Sequence, residues 1–452
     1  MTAGPRPLDL AQRMVERARA AGADEADAVA VASTNFSVSV RLQALERIIE
    51  AGSRAVGLRV IVGGRQAVVA TADVTDSALD ETVSTALALA AISEPDEHAG
   101  LPDPAAQARS ADRLQLYDEA IESLPTQERI DRAMACEQAA LDADSRISNS
   151  DGATFSTRLA EVALADSNGF GGSYLSTSAS LDVEAMAAEE DGRLRNDYWF
   201  TAERHLQRLE DAASVGREAA ARALRQLGAG RASTQQVPVV WEPRLSAGFA
   251  GIVAQAADGE AFYRRSTFLS ESEREQVASP LLTVVDDGAL PGRLGTRPFD
   301  GDGIATRRNV LIDQGVFRGF LFDTYNARRT GRASTGSAVR DVASLPTVGS
   351  GNLILEAGET PPEEIIAGVE NGLYLTTLMG FGVNVITGDF SRGAGGIWIR
   401  NGELAEAVTE INISGRLLEM WQSIDAVGND LRWFGSAAAP TIRMSRLTVS
   451  GT

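Results

Sequence analysis

The chain has 452 residues, 44% of them hydrophobic and 23% charged, the balance of a soluble globular protein long enough for two or three domains. Its formal net charge of −20 argues against a nucleic-acid partner, because phosphate binding needs clustered cations. All 42 basic residues are arginines, so neither a Walker-type phosphate loop nor a Schiff-base lysine is available.

A helix opens the chain, with apolar positions at Leu8, Leu10, Met14, Val15 and Ala18. The N-terminal stretch that holds it, MTAGPRPLDLAQRMVERARAAGA, is polar and amphipathic, with no apolar signal core. Strands follow at ADAVAVAS, NFSVSVRLQ and SRAVGLRVIVGGRQAVVATAD, where Gly63-Gly64 makes a hairpin turn. A helix fits Asp76–Ala91, with Thr75 as its cap, and its Ala86–Ile92 run is the longest apolar one. That run is far short of the roughly 20 residues that cross a bilayer, so a cytoplasmic protein with no membrane contact is expected.

The acidic, proline-rich SEPDEHAGLPDP holds His98 in a loop, and two helical stretches cover 111–122 and 126–142. Cys136, in the second, is the only cysteine, which excludes an intrachain disulfide and a cysteine-based metal cluster. Strands RLAEVALADS and GSYLSTSASLDVEAMAAEE are joined by the turn Asn168-Gly169. A long amphipathic helix spans 201–228 and ends at Gly228 and Gly230. It carries His205, the only other histidine, with no strong metal pair three or four residues away. A Ser-His-Asp triad and a two-histidine zinc site are therefore not expected.

GAGRASTQ (228–235) has the small, polar composition of an interdomain connection. Beyond it come a strand at VPVVW, a helix at PRLSAGFAGIVAQAADGEAF and a strand-rich remainder with short helices at 361–369 and 413–424. Strands in hairpins and helices in blocks give an α+β fold in two domains, 1–228 and 236–452. The second is the strand-rich, antiparallel one.

Three segments invite a functional reading. In 377–403, Gly388, Gly393, Gly395, Gly396 and Gly402 crowd together, and GAGGIW lacks the strand–loop–helix setting of a phosphate cradle. These glycines serve turns or close backbone approaches, or Asp389, Phe390 and Ser391 line a peptide channel. In DTYNARRTGRASTG, Tyr325, Arg328 and Arg329 on a short helix, followed by Ser334 and Thr335, suit an extended peptide equally with surface ion pairs. The acidic turns Asp286-Asp287-Gly288 and Asp300-Gly301-Asp302-Gly303 lack the ligand spacing of a Ca²⁺ loop and read as plain turns.

Several segments in order, VASPLLTVVDDG, GDGIATRRNVLIDQGVFRGFLFDTYNARRTGRASTG, LPTVGSGNLIL, GDFSRGAGGIWIRNGE, VGNDL and LTVSG, resemble the TldD/TldE family, the latter also called PmbA. The N-terminal half fits more loosely through the early helix, the strand series and GREAAARALRQLGA. The resemblance implies a two-subunit metalloprotease. Its TldD-type subunit holds zinc through a His-Glu-x-x-x-His helix and a C-terminal cysteine, with the Glu as general base.

In this chain that motif would fall within GIVAQAADGE, where the ligand and base positions read Ile252, Val253 and Ala257. LRWFGSAAAPTIRMSR, where the cysteine would lie, has none. The resemblance therefore points to the non-catalytic TldE/PmbA side, with no cofactor in this chain and zinc in a TldD-like partner. Substrates would be unfolded proteins and peptides. The alternative is a pair dedicated to maturing one small peptide-like intermediate in a biosynthetic pathway. Alone, the chain is open to homodimer formation. The family's older label, modulator of DNA gyrase, implies an indirect route and not DNA binding.

Overall fold

The computed structural model describes residues 5–108 and 114–451. Helix α1 (Pro7–Ala20) turns Leu10, Ala11, Met14, Val15 and Ala18 inward at helical spacing. Strands β1 (Glu25–Arg41), β2 (Ala44–Val62) and β3 (Arg65–Thr71) follow, then helices α2 (Asp76–Ile92), α3 (Glu119–Glu122) and α4 (Thr126–Leu141). Strands β4 (Ile147–Asp166), β5 (Gly171–Ala188) and β6 (Leu194–Glu203) and helix α5 (Ala212–Leu224) complete this half. One antiparallel sheet in the order β3-β2-β1-β4-β5-β6 results. Its central strands are long enough to carry two helix pairs: α1 and α2 bury one apolar cluster and α4 and α5 another. The β2–β3 turn uses Gly63 and Gly64 at φ 55° and 74°, a left-handed pair that glycine adopts without strain.

Local patterning misplaced several boundaries. The expected 201–228 helix is instead the end of β6, a 3-10 turn at Leu206–Arg208 and α5. The run Tyr198–Thr201 is aromatic and β-branched and extends the sheet, and Asp211 caps α5 by accepting from the Ser214 N–H. His205 thus lies before the 3-10 turn, its Nε2 2.8 Å from the Gln115 carbonyl oxygen. Helical structure expected at 111–122 is confined to α3, and 109–113 lie outside the described residues. Thr75 stands at the head of α2 without a side-chain cap bond.

The second half begins with β7 (Gln235–Trp241) and α6 (Pro243–Ala256). The single helix expected over 243–262 breaks because Asp258 accepts from the N–H groups of Glu260 and Ala261 and starts α7 (Gly259–Tyr263) afresh. Then come β8 (Val284–Asp287), β9 (Arg308–Asp313), β10 (Val316–Phe317), α8 (Thr324–Thr330), β11 (Ala338–Val339), β12 (Thr347–Val348), β13 (Leu353–Leu355) and α9 (Pro362–Ala367). The chain ends with β14 (Asn371–Met379), β15 (Val383–Asn384), β16 (Asp389–Arg400), β17 (Glu403–Arg416), α10 (Leu417–Gln422), β18 (Ile424–Val427), β19 (Arg432–Phe434), β20 (Ala437–Ala439) and β21 (Ile442–Gly451). The 413–424 helix starts only at Leu417, because residues through Arg416 remain paired in β17.

Strands β14, β7, β21, β17 and β16 pair in that order, and β16 pairs back to β14, which closes a five-stranded ring. A second sheet runs β10-β9-β8-β13-β20-β19. The apolar cluster joining these layers includes Trp241, Phe249, Phe390 and Trp421, with ring centroids 5.7–6.0 Å apart. No helix among the described residues is long and apolar enough to cross a membrane.

Two buried ionic clusters join the halves. Glu242, at the head of α6 and 4% exposed, accepts from Arg222 Nη2 at 2.8 Å and Arg225 Nη2 at 3.0 Å, both from the α5 region. Arg222 also lies 3.2 Å from Asp197 of β6 and donates to the Thr376 carbonyl of β14 at 3.3 Å. Farther away, Asp27 of β1 sits between Arg59 of β2 and Arg340 from the loop after β11. Burial pushes the Asp27 carboxyl up, but Arg340 and Arg59 outweigh it and the net shift is downward. Removing one partner from such a network strands the others without water. Glu242→Gln should lower unfolding free energy by about 3–5 kcal/mol in urea titrations; a loss below about 1 kcal/mol would show the network to be dispensable.

Candidate functional site

A cavity of about 470 Å³ lies where the Glu242 cluster meets the strand ring. Helix α6 supplies one wall through Leu245, Gly248 and Ile252, and the end of β14 another through Thr376–Met379. Strand β16 contributes Arg392 and Gly395–Ile397, and β6 and α5 close the far side with Asp197, Tyr198 and Arg225. The space is within the range that takes a small ligand or a few peptide residues, about 300–1,000 Å³.

Glycine keeps part of this space open. Among the described residues a Cβ on Gly248 would meet nothing within 4 Å, so none of them requires a glycine in the middle of α6. A Cβ on Gly395 would meet its first neighbour only at 3.5 Å, an ordinary contact. Gly396 differs: a Cβ there would stand 2.4 Å from the Tyr374 carbonyl oxygen, across the β14–β16 pairing. Of the β16 glycines, Gly396 is the one a close backbone approach demands.

The walls are rich in hydrogen-bond donors. Trp241 is 1% exposed, yet among the described residues its indole Nε1 has no acceptor, and the Nε atoms of Arg225 and Arg392 are likewise buried without one. Among the described residues Arg392 has no ion-pair or hydrogen-bond partner, and burial without a counter-ion draws its pKa down. The cavity's carboxylates are already engaged: Asp197 with Arg222, and Glu184 as acceptor from the Asn196 amide.

The residues singled out from sequence lie in two other places. Asp389 and Ser391 sit on β16 but alternate with Arg392, so they face away from the cavity wall that it joins. Asp389 is exposed and accepts from Thr387 Oγ1 at 2.6 Å, and Ser391 Oγ accepts from Asn412 Nδ2 at 3.0 Å. Phe390, between them, is 1% exposed and packs on Trp241 at 6.0 Å.

Helix α8 does form, capped by Asp323 and ended by Gly331 at φ 66°. Tyr325 donates to Asp96 Oδ2 at 2.6 Å, which with burial pushes its pKa up to about 12. Tyr325 also borders a smaller cavity of about 200 Å³ with Arg59, Asp302 and Thr324. Arg328 donates to the carbonyls of His98 and Leu101, and Arg329 lies over the Tyr263 ring at 3.6 Å. Ser334 and Thr335 hydrogen-bond the Phe322 backbone, Thr335 Oγ1 accepting from its N–H at 2.7 Å. This group therefore ties α8 to the 96–101 loop and the loop after it to the Phe322 backbone.

The acidic turns are tied to backbone too. Asp300 accepts from the N–H groups of Asp302, Ile304 and Ala338, while burial and the Asp302 carboxylate push its pKa up to about 7. Asp286 accepts from the Gly351 N–H at 2.6 Å. Among the described residues no group of three or more His, Cys, Asp or Glu is arranged to hold a metal ion. Of the positions where the family's zinc motif was expected, Val253 and Ala257 are fully buried in apolar surroundings, and Ile252 faces the cavity.

Sequence reasoning missed Trp241, Arg225, Gly248 and Arg392. Only GDFSRGAGG gave a local hint, an arginine whose one nearby acid, Asp389, falls on the opposite face of a strand, amid glycines that cannot cover it. The two kinds of glycine should separate in thermal unfolding. Gly248→Ala should stabilise by about 0.5–1 kcal/mol, the helix-propensity gain with no clash. Gly396→Ala should destabilise by about 1–3 kcal/mol, because its neighbour is backbone. Equal effects would mean that the space over Gly248 is not free.

Models of the PmbA/TldA metallopeptidase match three consecutive parts of the chain: domain 1 at residues 26–90, the central domain at 119–227 and the C-terminal domain at 234–451. A metalloprotease PmbA homolog from Haemophilus influenzae is 33% identical over 439 residues, covering 97% of this chain and 94% of that protein. The crystal structure of a putative modulator of DNA gyrase from Bacteroides thetaiotaomicron superposes with TM-score 0.91 at 30% identity, covering 98% of each chain. TldE from Thermococcus kodakarensis shares the fold, with TM-score 0.87 at 22% identity over 97% of this chain and 99% of that one. Identity at this level along nearly the whole length, together with the shared fold, makes the chain a member of the PmbA/TldD metalloprotease family, on its TldE/PmbA-like side.

Proposed function

We propose that this protein is the non-catalytic subunit of a heteromeric zinc metalloprotease, contributing part of a substrate chamber to a TldD-like partner in the cytoplasm. One observation carries the reading. At the positions where the family's histidines and general base would stand on α6 and just beyond it, the chain has Ile252, Val253 and Ala257, and none of these binds a metal or takes a proton. The helix is kept and its chemistry is not. A cavity opens along its exposed face between two strand ends. Such an arrangement suits an unfolded peptide held through main-chain hydrogen bonds with little demand on sequence.

The division of labour follows from the chemistry. Zinc in the partner would activate water and polarise the scissile carbonyl. This chain would wall off the chamber and hold the extended substrate, which raises effective concentration at the metal. A pair that serves one biosynthetic peptide instead of unfolded proteins would use the same architecture, and the breadth of substrates cleaved separates the two.

The test pairs this chain with the His-Glu-x-x-x-His paralogue from the same genome. Unfolded casein should be cleaved only by the mixture, with the two subunits eluting together in size-exclusion chromatography. Cleavage by the paralogue alone at the rate of the mixture would overturn the chamber role, and cleavage by this chain alone would overturn the non-catalytic one.

A further inference from the structure

The cavity over α6 has more to say than its position. Its unsatisfied groups are all of one kind: Trp241 Nε1, Arg225 Nε and Arg392 Nε are N–H donors buried without acceptors. A buried donor with no partner costs about 1–3 kcal/mol, more when the group is charged, and folded chains seldom leave several in one place. Arg392 is the extreme case, a guanidinium on a cavity wall with no carboxylate within ion-pair distance among the described residues. Asp197 and Glu184, the acids that border the space, are held by Arg222 and Asn196. What the site lacks is a set of acceptor oxygens carrying negative charge.

We infer that this cavity is a carboxylate site, with Arg392 as its anchor and Trp241 Nε1 and Arg225 Nε as further donors. A guanidinium matches a planar carboxylate through two parallel N–H···O bonds, and such charge-assisted bonds strengthen away from water. Beside these donors, Leu245, Ile252 and Met379 form an apolar wall that takes aliphatic side chains. The ligand is a short peptide whose carboxylate reaches Arg392, supplied either by its own C-terminus or by an internal acidic side chain. That the ligand is a peptide rests on the subunit reading above; that it is a carboxylate rests on the orphan donors alone.

The test is calorimetric titration of the full chain, without any partner, with two pairs of N-acetylated tetrapeptides. In the first pair Ala-Ala-Leu-Ala is compared as free acid and as C-terminal amide. In the second, Ala-Glu-Leu-Ala amide is compared with Ala-Gln-Leu-Ala amide. The acid member of at least one pair should bind about tenfold or more tightly, the step expected of one charge-assisted contact. A preference in the first pair identifies the chain terminus, and in the second an internal acid. Arg392→Gln should abolish that preference, leave the affinity for the uncharged member in place and not lower the melting temperature.

Equal affinities within both pairs would overturn the proposal. So would undetectable binding of all four peptides at millimolar concentration, or a preference that survives Arg392→Gln. The wild-type comparison needs no variant to fold. Because no partner and no cleavage are involved, the carboxylate site and the subunit role succeed or fail separately.

Discussion

Everything near the candidate site hangs on the carboxylate of Glu242. It stands at the head of α6, is nearly buried, and is held by two arginines from the end of α5. Through Arg222 the same cluster reaches Asp197 on β6 and the Thr376 carbonyl on β14. Four elements from both halves of the chain are thus fixed around one anion. Burial alone would push the Glu242 pKa up, but Arg222, Arg225 and Arg244 hold it below the usual carboxylate range. A network of this kind is a weak source of net stability and a strong source of geometry. It fixes where α6 points relative to the strand ring, and so fixes the cavity between them.

That geometry leaves chemistry unspent. Where α5 meets β6 and α6, Arg222 and Arg225 find acids, whereas at the mouth of the ring Arg392 does not. The glycines beside it are of two sorts. Gly396 is dictated by the neighbouring backbone, while Gly248 and Gly395 border a space that none of the described residues fills. A helix interior normally favours alanine over glycine, so an unneeded glycine in α6 weakens the helix slightly. The stability lost to open space and unmatched donors is the kind that functional sites carry and cores avoid.

Much of the fold could be read from the sequence, since local signals and tertiary structure agree over most of it. Gly63-Gly64 and Asn401-Gly402 both turn as left-handed pairs between strands, and Asp323 and Gly331 bound α8 by its two caps. The failures are places where two local preferences compete. Tyr198–Thr201 suits a strand while its downstream arginines and alanines suit a helix, and sheet pairing wins as far as Glu203. Asp258 offers a new N-cap in the middle of a helical pattern, and the helix restarts there. The site itself was hidden for another reason. Trp241, Gly248 and Arg225 share a cavity with Arg392 only because β7 and β14 pair and the ring closes, and no local window contains that arrangement. Tyr325, Arg328, Ser334 and Thr335 suit a peptide clamp and surface pairing equally in sequence, and the structure joins them to the 96–101 loop and the Phe322 backbone.

The central claim is that the metal chemistry of this family resides in a partner and that this chain shapes the chamber around it. Elemental analysis of zinc in each subunit, purified separately and then as the complex, tests it most directly. Stoichiometric zinc is expected in the His-Glu-x-x-x-His subunit and in the complex, with none above background in this chain. Stoichiometric zinc retained by this chain alone, and lost on mutation of one of its own side chains, would contradict it.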